Sequence, residues 1–238
     1  MLSISCNKEN SSPGEPTYGK NIPILFNPNK TYGTMADIDG NVYKTINIGT
    51  QTWMAENLKT TRYNNGTTIP YVIDDKAWLD LTTSATPAYC WYNNDTSYKT
   101  IYGALYNWYT VNTGILCPTG WHVPTDDEWD TLVIYLGGAP LAGYKLKETG
   151  TNHWSTSGSF EDNGSGFTAV PGGFRNYNAS FNTIGDHGYW WSSSEDIQEQ
   201  PPTQRNALYW DLDSHLGLAD RGSAYFKSSG FSVRCVKN

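Results

Sequence analysis

After Gly150 the sequence leaves no room for an ordinary helix. Gly158, Gly164, Gly166, Gly172, Gly173, Gly185 and Gly188 break the stretch up to residue 188 into pieces too short for a convincing one. What survives between the breaks is short and aromatic: GFTAVPGGFR (166–175), GYWWSSS (188–194), ALYWDLD (207–213) and GFSVRCV (230–236) read as strands. The composition agrees. Ten Trp, seventeen Tyr and twenty-three Gly against only 16% charged residues describe turn-rich, aromatic-packed structure and not a helical bundle. A largely β or irregular domain is the better reading of such a composition.

The first half supplies the other elements. In DIDGNVYKTINIGTQTWMAENL, Val42, Tyr43, Ile46, Ile48 and Trp53 punctuate polar residues on both sides of Gly49. Asp39-Gly40 and Gly49-Thr50 carry turn chemistry, which predicts a hairpin from Asn41 to Met54. Ile22 to Phe26 reads as a first edge strand, because Pro23 has no N–H to give to a ladder. Residues 60–98 read as loop, punctuated by Asn64-Asn65-Gly66, Ile69-Pro70 and Asn93-Asn94-Asp95. In YGALYNWYTV, Leu105, Trp108 and Tyr109 fall at helical spacing and predict one short helix ending between Asn112 and Gly114. No repeat of fixed period and no linker after residue 40 divides the chain. The expected organisation is a leader remnant and flexible tether over 1–20 and a single domain over 21–238, the tether being too rich in Ser, Pro, Gly and Glu to order itself.

CPTGWHVPTDDEWDTLVIYLGG, from Cys117 to Gly138, crowds a cysteine, a histidine and several carboxylates together in the manner of a reactive site. A simpler role accounts for them. Thr125 and Glu128 have the spacing of a capping box, and Asp126, Asp127 and Glu128 fall in a first helical turn, where the dipole favours negative charge. Trp129, Leu132, Val133 and Leu136 then recur at i, i+3, i+4 and i+7, so a helix is predicted over Asp126 to Leu136, stopped by Gly137. His122 has no second His or Cys at ligand spacing nearby and reads as a packed or hydrogen-bonded residue, not a metal ligand.

The formal net charge of -7 argues against a phosphate-binding surface, so no nucleic-acid partner is expected. No apolar run reaches the roughly 18 residues that span a bilayer. The start is different in kind: LSISC resembles a bacterial lipobox, with Cys6 as the lipid-carrying residue and Met1 read as an internal methionine. An ordinary disordered leader is the competing reading. Asn7-Lys8-Glu9 resembles the signals that send lipoproteins to the cell surface in Bacteroidota, so the expected location is the outer membrane of a Gram-negative bacterium, facing outward and held only through the lipid. Four cysteines permit three pairings, and an exported chain meets an oxidising compartment in which one disulfide and one buried thiol are reasonable.

From residue 32 to residue 237 the chain resembles the Fibrobacter succinogenes major paralogous domain family, found in exported proteins of Bacteroidota and Fibrobacterota. The motifs that carry the resemblance are DIDGNVYKTINIGTQTWMAENLKTTRYNNGT, YGALYNWYTV, CPTGWHVPTDDEW, LKETGTNHW, GFTAVPGGFRN, GYWWSSSE and GFSVRCVK, in that order. It implies a C-type-lectin-like fold of the branch that includes formylglycine-generating enzymes, whose RLPTEAEW and GFRC signatures are similar to HVPTDDEW and GFSVRCV here; the fold class expected is therefore α+β and loop-rich, with short antiparallel strands and about two helices. It also implies a Cys117–Cys235 disulfide, tying the last strand to the entrance of the capped helix. Formylglycine-generating enzymes hold copper between two nearby C-terminal cysteines; here that region has Cys235 alone. GxSxG, HExxH, P-loop and dinucleotide motifs are absent, so no catalytic residue and no cofactor are expected.

Binding fits more of the sequence. Aromatic rings with polar edges suit sugar stacking or protein anchoring. Trp53, Trp121 and Trp129 sit in predicted elements and are expected to be buried, while those in the glycine-rich half are left freer. The polar stretch EDIQEQPPTQRN, Glu195 to Asn206, is the kind of long irregular loop that often carries function. With the strand that follows, it resembles the Glu-Pro-Asn loop and Trp-Asn-Asp strand of calcium-binding lectins. On that resemblance the candidate ligand residues are Glu199, Gln200, Asn206, Trp210, Asp211 and Asp213. Pro201 follows Gln200 and not Glu, Leu212 breaks the second motif, and adjacent residues do not assemble the six to eight oxygens calcium needs, so no metal site is assigned. The expectation is a non-catalytic binding or adhesion domain, its partner an extracellular glycan or a surface protein. The alternative is a purely structural module of a surface assembly with no small ligand, and behind it stands a formylglycine-generating-like enzyme.

Overall fold

The computed structural model describes residues 19, 21–155, 161–196 and 205–238. Cys6, Glu199 and Gln200 lie outside the described residues. In chain order the elements are β1 (Gly33–Ala36), β2 (Val42–Ile48), β3 (Gln51–Met54), α1 (Asp75–Ser84), β4 (Tyr89–Cys90), α2 (Lys99–Tyr102), β5 (Leu105–Asn107), α3 (Trp108–Val111) and β6 (Trp121–His122). Then come α4 (Asp126–Tyr135), α5 (Ala139–Leu146), β7 (Phe174–Arg175), β8 (Phe181–Asn182), β9 (His187–Glu195), β10 (Asn206–Asp213), β11 (Ala219–Phe226), β12 (Gly230–Phe231) and β13 (Val236–Lys237). Three sheets result, with orders β1-β2-β3-β13-β6, β11-β10-β9 and β4-β5-β12-β7-β8, and neighbouring strands in each run antiparallel. The chain is thus mixed α+β with short strands.

The hairpin forms where its alternation predicts it. Ile48 pairs with Gln51 across a turn in which Gly49 takes φ 60°, a left-handed conformation that costs glycine little. Val236 of β13 inserts between Trp53 and His122, which brings the end of the chain back to its beginning. The Cys117–Cys235 disulfide, with Cα atoms 6.0 Å apart, fastens that strand to the segment entering α4. Between β12 and β13 the wholly buried Arg234 donates to Asn57 Oδ1 and Thr168 O, each at 2.9 Å, and to Phe167 O. Burial lowers its pKa to about 9, which leaves it charged at neutral pH, and its guanidinium lies 4.1 Å from the Phe167 ring centroid.

Helix α4 starts as its sequence dictates. The Thr125 hydroxyl accepts from the Glu128 N–H at 3.3 Å, and the Glu128 carboxylate accepts from the Thr125 N–H at 2.8 Å, completing the capping box. Trp129, Leu132 and Val133 face the core, and Leu136 is the C-terminal cap. The chain then turns through Gly137 and Gly138 straight into α5, with Pro140 in its first turn.

Several expectations are corrected. Two helices were anticipated; five α-helices are present among the described residues, two of them single turns. YGALYNWYTV is not one helix: Leu105–Asn107 is a strand paired on both edges by β4 and β12, and the Asn107 side chain accepts from the Thr110 N–H to begin α3. The stretch read as loop contains α1, capped by Asp74, which buries only Trp78 and Leu81 and so leaves too sparse a periodic signal. Ile22 to Phe26 is not a strand. It is fastened instead through side chains, the Leu25 N–H to the buried Glu148 carboxylate and the Ile22 carbonyl to His153 Nε2 at 3.0 Å. GFTAVPGGFR yields strand only at β7, GFSVRCV divides into β12 and β13 around Arg234, and β11 appears where no strand was read.

Candidate ligand-binding face

Alternation along β9 and β10 sorts the aromatic residues onto two faces. Trp190, Trp210 and Leu212 point into the core, where Trp210 stacks on Trp129 at 6.2 Å and donates Nε1–H to Asp126 Oδ1 at 3.0 Å. Trp210 is therefore a core residue and leaves the candidate ligand set. The tryptophans of the glycine-rich half are all packed inside: nine of ten are buried, Trp53 and Trp129 among them as expected, and only Trp121 is half-buried, less than its motif suggested. Tyrosine takes the surface role that tryptophan was expected to fill. No sequence signal separated the two, because both alternate at the same period in the same strands.

The solvent-reached part of the other face carries His187 and Tyr189 from β9, Tyr209, Asp211 and Asp213 from β10, and Asp220 and Tyr225 from β11, while Trp191, farther along the same side of β9, is wholly buried against Phe231. Register brings them together: Asp211 pairs with Tyr189 on one side and Asp220 on the other, Asp213 with His187, and Tyr209 with Gly222. A Cβ at Gly222 would lie 2.0 Å from the Tyr209 ring, so only glycine there lets that ring lie across β11. The Tyr189–Tyr209 and Tyr209–Tyr225 centroids are 5.9 and 6.0 Å apart, and the three rings surround buried Phe231 while remaining half-open to solvent. His187 stacks on Tyr189 at 5.5 Å and 13°. Asn206 opens β10 opposite Phe226, out of phase with Tyr209, Asp211 and Asp213, and so leaves the candidate ligand set of this face.

Its electrostatics are unusual for a surface. His187 stands 3.8 Å from the Asp211 carboxylate and 3.6 Å from that of Asp213, ion-pair contacts too long for hydrogen bonds, and its Nδ1 has no hydrogen-bond partner. The neighbouring Asp211 carboxylate, followed by Asp213 and Asp186, holds His187 above its ordinary 6.5 against the opposing effect of burial. Asp211 responds the other way, because its own burial outweighs the help from His187 and raises its carboxyl above 3.8. Asp213 is more open; burial opposes its ionisation, but the His215 N–H and the nearby imidazoles prevail and lower it. Burial first and the Asp211 charge second raise the phenols of Tyr189 and Tyr209, the latter to about 12, so both keep their hydroxyl protons at physiological pH.

The residues ahead of α4 are engaged elsewhere. His122 Nε2 lies 2.8 Å from Glu128 Oε1 and Nδ1 lies 2.7 Å from Asn238 Oδ1, while Asp126 pairs with Arg221 at 2.6 Å. Cys235 is committed to its disulfide, and the free Cys90 is buried in a separate part of the core. An open cleft of about 570 Å³ beside α4 and α5 is lined by Lys30, Tyr135, Lys145 and Asp162, but Lys145 caps the Leu136 carbonyl at 2.7 Å and Asp162 accepts from the Gly164 N–H. Among the described residues no three His, Cys, Asp or Glu are disposed to hold a metal.

The sequence model of the Fibrobacter succinogenes major domain matches residues 46–237, most of the chain. The chain belongs to that family. Neither the curated proteins nor the solved structures supply a match. All seven side chains of the β9–β11 face fall within the matched Fibrobacter succinogenes major domain, as do both disulfide cysteines.

Proposed function

We propose that this chain is a non-catalytic recognition domain of C-type-lectin-like type that binds carbohydrate outside the cell, held at the outer membrane surface by lipid on Cys6. The observation that carries the reading is the β9–β11 face, where half-open Tyr189, Tyr209 and Tyr225 adjoin the half-buried Asp211 carboxylate. Flat rings take up the apolar face of a sugar, while phenol hydroxyls donate to its oxygens and a carboxylate accepts from its hydroxyls. A few fixed polar groups among rigid aromatics are what a small-ligand site requires.

A glycan array probed with purified protein, with and without calcium, tests this. Binding to a defined group of glycans that Tyr209→Ala weakens by about tenfold or more, with the fold intact, supports it. Silence across the array overturns it and leaves the structural-module reading, which draws on the exposed Ile134, Tyr135 and Leu141 around the α4–α5 corner. The lipid assignment is checked by mass spectrometry of protein made with its own leader, where unmodified Cys6 refutes it.

A further inference from the structure

The carboxylates of this face lack the partners that others in the molecule possess. Asp39 is paired with Arg62, Asp126 with Arg221, Glu161 with Lys147 and Glu195 with Lys227. Among the described residues, by contrast, no Lys or Arg lies within ion-pair distance of Asp211, Asp213 or Asp220; their only cationic neighbours are His187 and His215. Asp211 and Asp220 are also direct cross-strand partners, and like charges facing each other across an antiparallel pair are destabilising. A half-buried carboxylate, Asp211, opposite an exposed one, Asp220, with three tyrosine rings nearby, forms a place where a cation is favoured twice over, by charge and by the negative faces of the rings.

We propose that this face takes a saccharide bearing a protonated amine, its ammonium seated against Asp211 and Asp220 and its ring against Tyr209, a specificity that rests on the carbohydrate-binding reading above. An amino sugar fits better than a lysine of a protein partner. Protein interfaces are depleted of charge at their centres, whereas the centre of this face is Asp211 with His187, Asp213 and Asp220 around it. His187 has a defined part in the scheme: stacked on Tyr189 between two carboxylates, it is the domain's own cation and competes with the ligand's. The loss of solvation that raises the Asp211 carboxyl is what a bound ammonium offsets.

The experiment is calorimetric titration of the full chain with glucosamine oligomers and with N-acetylglucosamine oligomers of equal length, under mildly acidic conditions that keep the free amine protonated. The two ligands share a ring and differ in charge. The glucosamine oligomer is expected to bind about tenfold more tightly, and added salt to narrow the gap. Asp220→Asn, at an exposed position, should weaken glucosamine binding about fivefold with no loss in unfolding temperature, since it also relieves the like-charge pair, while Asp130→Asn on the outer side of α4 should have no effect on binding. His187→Gln should tighten it. Equal affinity for the two oligomers overturns the cationic specificity while leaving carbohydrate recognition standing. Equal losses in Asp220→Asn and Asp130→Asn overturn it as well, by showing attraction to net charge alone. Binding of oligolysine without binding of glucosamine overturns it in favour of a basic protein partner, and silence toward every saccharide on the array overturns the reading beneath it.

Discussion

His187 shows how position decides the chemistry of a residue whose type says little. Its folded pKa is raised above 6.5, so its contribution to stability is complete below that value and is lost as pH rises through the folded pKa. Asp211, raised above 3.8, acts in the same direction over a window that opens at 3.8. Proton NMR should therefore place His187 above 6.5 in the native protein, and Asp211→Asn should bring it down; an unchanged value in that variant would refute the pairing. Unfolding temperature should fall between mildly acidic and mildly basic pH by a smaller amount in His187→Gln than in the parent. The carboxylate cluster was only partly legible beforehand. Asp211 and Asp213 stand two apart in a strand and so share a face, a fact of local geometry, but His187 and Asp220 join them through register with β9 and β11, which nothing near them in sequence encodes.

Among elements, α4 and α5 make the contrast plainest. The capping box of α4 is complete within four residues, and Thr125→Ala should cost about 1 kcal/mol in urea unfolding with the slope unchanged. In α5, helix propensity alone predicts that Gly143→Ala stabilises by about 1 kcal/mol. The structure predicts the opposite sign. A Cβ at Gly143 would come within 2.5 Å of the Gly217 carbonyl and 2.7 Å of that of Leu218, backbone atoms that yield only by shifting the chain, so a loss of about 1–3 kcal/mol is expected from the same measurement. A stabilised Gly143→Ala would show that the 217–218 segment moves freely. The missed elements share this cause: β5 is held as strand by neighbours on both edges, and β11 by β10.

For the whole molecule, the Cys117–Cys235 bridge joins positions 118 apart, and by the chain-entropy account its loss should cost about 4–5 kcal/mol, less any strain. Reduction should lower the unfolding temperature markedly in calorimetry, while Cys90, its thiol pushed up to about 12 by burial, stays unreactive toward thiol reagents until the domain unfolds. Labelling of Cys90 in the native state would contradict that packing. Turn glycines, the capping box, the hairpin and two of the three long strands of the glycine-rich half could be read directly, because each depends on backbone chemistry acting within a few residues. Which aromatic residues meet water could not. Trp190, Trp210 and Trp129 come from three separate elements and pack together, while Trp191, on the tyrosine side of the same strand as Trp190, is buried against Phe231. Burial is a property of pairs of surfaces distant in the chain, so which part of each face stays open was decided only when one side of the sheet met α4 and the other met Phe231.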